Sequence, residues 1–171
     1  MLQNRAAQPI LPVPANLPML CHNATLWWVF NDEFNRPIGS ALDFATAFPN
    51  PTSVIDQMVP FGAQLTRPLI GSTTLTPGSV IVFVYNHSAA HSCIAIGTTQ
   101  IGGYNQPNWF AGMPLGVFNT YTQHTTANFK WRGAMNPRDI RGDTGHPLCT
   151  LFQVPERTAK AVVRANVPAG V

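Results

Sequence analysis

Cys21 and His91 are the two side chains whose types and settings suit thiol chemistry. Cys21 lies in the run NLPMLCHNATLWWVF, just after a proline-rich segment and at the start of an apolar stretch. A helix opening there turns its free amides and the positive end of its dipole toward the thiol, which favours the thiolate. The same amides can hold an oxyanion. His91 opens the run HSCIAIG after a polar turn, and a near-neutral imidazole can take and return a proton. A Cys at a helix start with a His far downstream at a strand start is the pattern of a nucleophile and its base. The plain alternative for His91 is a surface side chain at a turn. His22 competes as base, although neighbours on a helix project about 100° apart.

The elements that must position these groups follow from the pattern of apolar residues. Residues 79–85, after Pro77-Gly78, are β-branched and aromatic and predict a strand. A polar turn at 86–90 leads to a second strand at 91–96, closed by Gly97, and a third at 100–105, weakened by Gly102-Gly103. Upstream, residues 24–30 predict a buried helix carrying Trp27 and Trp28. A short helix at 40–48 is capped near Ser40, and another begins at Thr52 or Ser53 and ends at Pro60. Residues 65–76 read as a loop. Further strands are expected at 117–121, 128–131 and 148–154, and a last helix at 156–165. Between them PNWFAGMPLG reads as a loop whose Trp109 and Phe110 line a groove or pack in the core.

This order resembles the papain-like cysteine hydrolases, particularly the NlpC-type peptidases and their amidase and bacterial toxin deamidase relatives. In that family a helix carries Cys at its N-terminus, a strand follows a "PGD" turn, the next strand opens with His, and the strand after it supplies a polar third residue. Here PGSVIVFV, HSCIAIG and QIGGYNQ stand at those strands. Ser79 replaces the family's usual Asp, and His22 replaces the usual small polar neighbour of the Cys. The resemblance covers roughly residues 20–106. It implies an α+β fold, papain-like or NlpC-like, with N-terminal helices packed on a central antiparallel sheet of about five strands. It also implies a triad of Cys21, His91 and Asn105, in which the amide orients the imidazole without carrying charge. Asp139 or Asp143 could fill the third place if their loop folds back.

At 171 residues the length predicts one domain with a full core. We expect a proline-rich arm at 1–19, a catalytic domain at 20–155 and a C-terminal helix and tail at 156–171. Charged residues make up 10% of the chain against the usual ~25%, so the surface is built from Asn, Gln, Ser, Thr and Pro. Seven of ten basic residues lie from Lys130 onward: Lys130, Arg132, Arg138, Arg141, Arg157, Lys160 and Arg164. No nucleic-acid motif accompanies them, so they read as a solvated basic face rather than a nucleic-acid surface. Prolines 9, 12, 14 and 18 argue against a signal peptide and for an extended arm, and no run is long enough for a membrane span. Three cysteines, Cys21, Cys93 and Cys149, leave an odd thiol and no disulfide framework. Neither they nor the five histidines have metal-ligand spacing, so no metal or cofactor is expected.

The expected function is that of a cysteine-dependent amide hydrolase. One branch is an effector, secreted without a classical signal peptide, that deamidates a Gln or Asn of a host protein such as a small GTPase. The other is a peptidoglycan amidase or endopeptidase. Expected partners are the protein or peptidoglycan substrate and a secretion-apparatus, immunity or chaperone protein. A non-enzymatic β-rich binding module is the reading of a different class.

Overall fold

A computed structural model describes residues 1–65, 74–129 and 150–171. Five α-helices are found among them: α1 (Leu2–Ala6), α2 (Cys21–Phe34), α3 (Ala41–Ala47), α4 (Pro51–Met58) and α5 (Glu156–Asn166). Six strands form one antiparallel sheet: β1 (Ala63–Leu65), β2 (Val80–Tyr85), β3 (Ser88–Ala95), β4 (Gln100–Asn105), β5 (Thr120–Thr125) and β6 (Thr150–Val154). Their order across the sheet is β1-β6-β2-β3-β4-β5. The architecture is α+β with six strands rather than about five. The added strand, β1, pairs Ala63–Leu65 against Leu151–Gln153 of β6.

Alternation along β2 separates two cores. Val80 and Val82 face the helices, in a cluster with Leu26, Val29, Phe30, Ile55 and Met58. Ile81 and Phe83 face the other way, into a cluster with Cys93, Ile101, Trp109, Phe110 and Leu151. Each fully buried large side chain contributes about 1.5–3 kcal/mol. Both faces are thus covered, which explains why β2 reads as a continuous apolar run.

Several local expectations change. The first strands form a tight hairpin: Asn86 and His87 hold φ values of 50° and 66°, so the turn is two residues long and β3 starts at Ser88. The register then slips by one residue between Phe83 and Val84. His91 is therefore the fourth residue of its strand, not the first. The N-terminal segment begins with a helix rather than an extended arm. Leu2, Ala6, Ile10 and Leu17 are buried in the main core. The cap of α4 is Asn50, whose side chain accepts from Ser53 N–H, with Pro51 at the first helical position. The strand expected at 117–121 lies at Thr120–Thr125, because Gly116 and Asn119 take positive φ in the preceding loop. Of the strand expected at 128–131, Asn128 ends a 3-10 turn (Thr126–Asn128) and Phe129 makes an isolated bridge to Phe110, while residues 130–131 lie outside the described residues. Lys130, Arg132, Arg138, Asp139, Arg141, Asp143 and Cys149 lie outside the described residues. Among the described residues no helix is long and apolar enough to cross a membrane.

Candidate active site

Cys21 is the first residue of α2, as the sequence predicts. Leu20 is extended before it, with φ −78° and ψ 164°, and supplies no side-chain cap. Ala24 N–H makes the helix's first bond, to the Leu20 carbonyl at 2.9 Å. The amides of the first turn therefore have no acceptor within the helix. Asn23 Nδ2 ties that turn to the Pro18 carbonyl at 2.7 Å. The helix is buried all round from Cys21 to Phe30, so the packing of the whole domain fixes where it starts.

The sheet opens at the same place. β3 and β4 pair only through Ile94↔Gly102 and Ala95↔Ile101. Beyond those pairs, side chains satisfy what a ladder would have satisfied. Ala89 N–H goes to Asp56 Oδ1 at 2.7 Å, and the Ala89 carbonyl lies 3.0 Å from His22 Nε2. His91 Nε2 lies 2.9 Å from Asn105 Oδ1. Asn105 is the last residue of β4 and wholly buried. Its Nδ2 donates to the Gly103 carbonyl (3.1 Å), the Thr122 carbonyl (3.1 Å) and Thr122 Oγ1 (2.8 Å). All of its amide hydrogens are committed, so its oxygen is fixed toward His91. An oxygen can only accept, which makes Nε2 the protonated nitrogen of that imidazole.

His91 is enclosed rather than exposed at a strand end: its relative exposure is 0%. Trp109 stacks over it at 6.1 Å with planes 16° apart, and Phe83 and Phe110 meet it edge-on at 5.3 and 5.4 Å. Its Nδ1 is the one buried side-chain polar atom among the described residues with no hydrogen-bond partner. A buried orphan of this kind costs about 1–3 kcal/mol and calls for a reason. The reason at hand is Cys21. Burial opposes ionisation of that thiol, yet it is held well below the ordinary thiol range. The charge of His91 does most of this, followed by the close approach of the His22 and His91 rings and the charge of His22. Cys93, on the same face of the sheet, behaves oppositely: burial first, then the neighbouring Cys21, pushes its thiol well up.

The structure therefore brings Cys21, His91 and Asn105 together, and it brings His22 with them. Both nitrogens of His22 are engaged, Nδ1 with Ser92 Oγ at 2.8 Å and Nε2 with the Ala89 carbonyl. It is not free to act as base. Thr122 and His124 complete the arrangement: Thr122 Oγ1 lies 2.8 Å from His124 Nε2, and His124 stacks on Phe110 at 4.4 Å. Burial, then the charge of His91, lowers the His124 pKa. The alternating run TYTQHT carried the signal for this pair, since positions two apart on a strand share a face. Among the described residues no group of three or more His, Cys, Asp or Glu is placed to hold a metal ion. A groove of about 660 Å³ lies elsewhere, between Gln57 and Phe61 and the α5 residues Arg157, Ala161 and Ala165. It pairs no nucleophile with a base, so chemistry rather than concavity marks the candidate site. No protein-family model, curated protein or solved structure matches this chain.

Proposed function

We propose that this protein is a cysteine-dependent amide hydrolase of papain-like architecture, with Cys21 as nucleophile, His91 as proton carrier and Asn105 as its orienting partner. The observation that carries the reading is the His91 ring: Nε2 is held by Asn105, Nδ1 is buried and unpartnered, and its charge acidifies the Cys21 thiol. The Cys21 thiolate attacks the amide carbonyl, and the free amides at the start of α2 stabilise the oxyanion. His91 passes a proton to the leaving nitrogen, which departs as ammonia or an amine and leaves a thioester. Water, deprotonated by His91, then attacks the thioester, releases the acid and restores the Cys21 thiolate and the protonated His91. Closure of the site by Trp109, Phe83 and Phe110 keeps bulk water away from the ion pair and strengthens it.

For the substrate we favour a protein glutamine or asparagine in a target cell, deamidated by a delivered effector. The charge-poor composition supports this. The test is mass spectrometry on candidate host proteins and on purified sacculi, each treated with wild type and with Cys21→Ala. Amide-to-acid conversion on a protein side chain, lost in Cys21→Ala and with no fragment released from sacculi, is the expected result. Released muropeptides without such conversion would transfer the proposal to a peptidoglycan amidase or endopeptidase. Neither change would refute hydrolysis of both substrate classes.

A further inference from the structure

We propose that His22 is a fixed second imidazolium beside Cys21, a positioning residue that holds the thiol ionised while His91 alone moves the proton. This rests on the reading of Cys21 as the nucleophile. The argument begins with the partners of the His22 ring. A carbonyl can only accept, so the 3.0 Å contact with Ala89 makes Nε2 a donor. Ser92 Oγ donates to Thr25 Oγ1 at 3.0 Å, so its lone pair faces His22 Nδ1 at 2.8 Å and that nitrogen donates as well. A ring that donates from both nitrogens is a cation.

A buried cation at a helix N-terminus needs compensation, because the dipole there opposes it. Two groups supply it. The Cys21 thiolate lies on the same turn of α2. Asp56, on α4, accepts from Ala89 N–H at 2.7 Å and from Ser88 Oγ at 3.2 Å, so the Ala89 peptide lies between carboxylate and imidazolium. The pKa of His22 is raised accordingly. Burial opposes the charge, but the adjacent Cys21 and its charge, the Ala89 carbonyl and the charge of Asp56 outweigh it. The other titratable groups around the thiol are His91 and Cys93 on β3, with His124 on β5 facing His91. The division of labour follows from geometry: a ring with both nitrogens tied to the scaffold cannot deliver a proton, and a ring with a free Nδ1 can.

The test needs no substrate. Cys21 is alkylated with iodoacetamide across a pH series, and the rate is read from its own peptide by mass spectrometry in wild type and His22→Gln. Glutamine keeps a donor and an acceptor but removes the charge. The expected result is an upward shift of the pH midpoint, so that alkylation near pH 6 slows about tenfold while the rate near pH 10 is retained, one pKa unit corresponding to that factor. In parallel, nitrogen NMR of the imidazoles should show His22 doubly protonated at about pH 7.5 in wild type, and titrating at lower pH in Cys21→Ser. This arm decides the matter if His22→Gln does not fold. A folded His22→Gln with the wild-type pH profile, or a His22 ring with one bare nitrogen at about pH 7.5, overturns the proposal and leaves the nucleophile reading intact. A wild-type Cys21 that alkylates only in the ordinary thiol range overturns both.

Discussion

Replacing Asn105 by alanine tests how the site holds its imidazole. The substitution removes the 2.9 Å bond to His91 Nε2 and leaves a second orphaned nitrogen on a ring that is 0% exposed. Among the described side chains only Asn105 hydrogen-bonds that ring; its other neighbours are Phe83, Trp109 and Phe110. An unsatisfied buried donor costs about 1–3 kcal/mol. If the ring turns or changes tautomer to escape that cost, the same energy appears as roughly a 5- to 150-fold loss in kcat/KM. The loss should be smaller than for Cys21→Ala or His91→Ala, because an orienting group is only partly required. The assay is hydrolysis paired with Cys21 alkylation and a thermal melt. The fold should survive, since β4 keeps its full ladder with β5. Wild-type turnover and alkylation in Asn105→Ala would refute the reasoning. So would a much larger loss in Asp139→Ala or Asp143→Ala, which would give the third position to that loop.

Three further perturbations read other parts of the structure. A Cβ on Gly103 would fall 2.9 Å from both Asn105 Oδ1 and Cys93 Cβ, so Gly103→Ala should cost about 1–3 kcal/mol and lower activity, whereas Gly97→Ala, whose Cβ meets nothing closer than 3.9 Å, should match wild type in the same melt and assay. Cys93→Ala should keep activity and remove no low-pH alkylation, because burial holds its thiol protonated; loss of the low-pH label with Cys93 rather than Cys21 would move the nucleophile. Asp32, bonded to Lys160 (2.6 Å), Arg5 (2.9 Å) and the amino terminus (3.2 Å), should cost about 2 kcal/mol when changed to alanine. Burial opposes ionisation of Asp32, but these three cations hold its carboxyl below the usual carboxylate range. Its contribution should thus be present above about pH 4 and fade as pH falls toward the folded value. Parallel melting curves for wild type and Asp32→Ala at every pH would contradict this.

The parts of the fold legible in the sequence are those set by local pattern. The start of α2 at Cys21, the cap of α3 at Ser40 and the apolar run of β2 follow from short-range chemistry. The misread parts depend on distant partners. Gly102-Gly103 reads as a weakness in β4. In the folded chain Gly102 sits under the Ala6 carbonyl of α1, and Gly103 leaves room for Asn105 and Cys93. Only glycine permits those approaches, and neither Ala6 nor Cys93 is near in sequence. The N-terminal segment divides in the same way: its prolines hold residues 8–20 out of helix and strand, as the sequence predicts, but nothing local announces α1, whose Leu2 and Ala6 are held by the main core. His22 fared likewise. Helix geometry separates it from Cys21 in projection, which argues against a shared role as base, but projection says nothing of Ser92 and Ala89 approaching from β3.

The position of His91 joins these threads. A hairpin of two residues with a slipped register places it within β3 rather than at its end, so the imidazole is carried into the aromatic core instead of standing in solvent. A surface histidine would have a mobile ring and a hydrated Nδ1. Here Trp109 and Phe83 fix the plane of the ring, Asn105 fixes its tautomer, and the splaying of β3 from β4 leaves the site for the start of α2. In the proposed site an unpaired Nδ1 is then the cost of preorganisation: aromatic rings hold the imidazole, Asn105 takes one nitrogen, and the other is left for the Cys21 thiol.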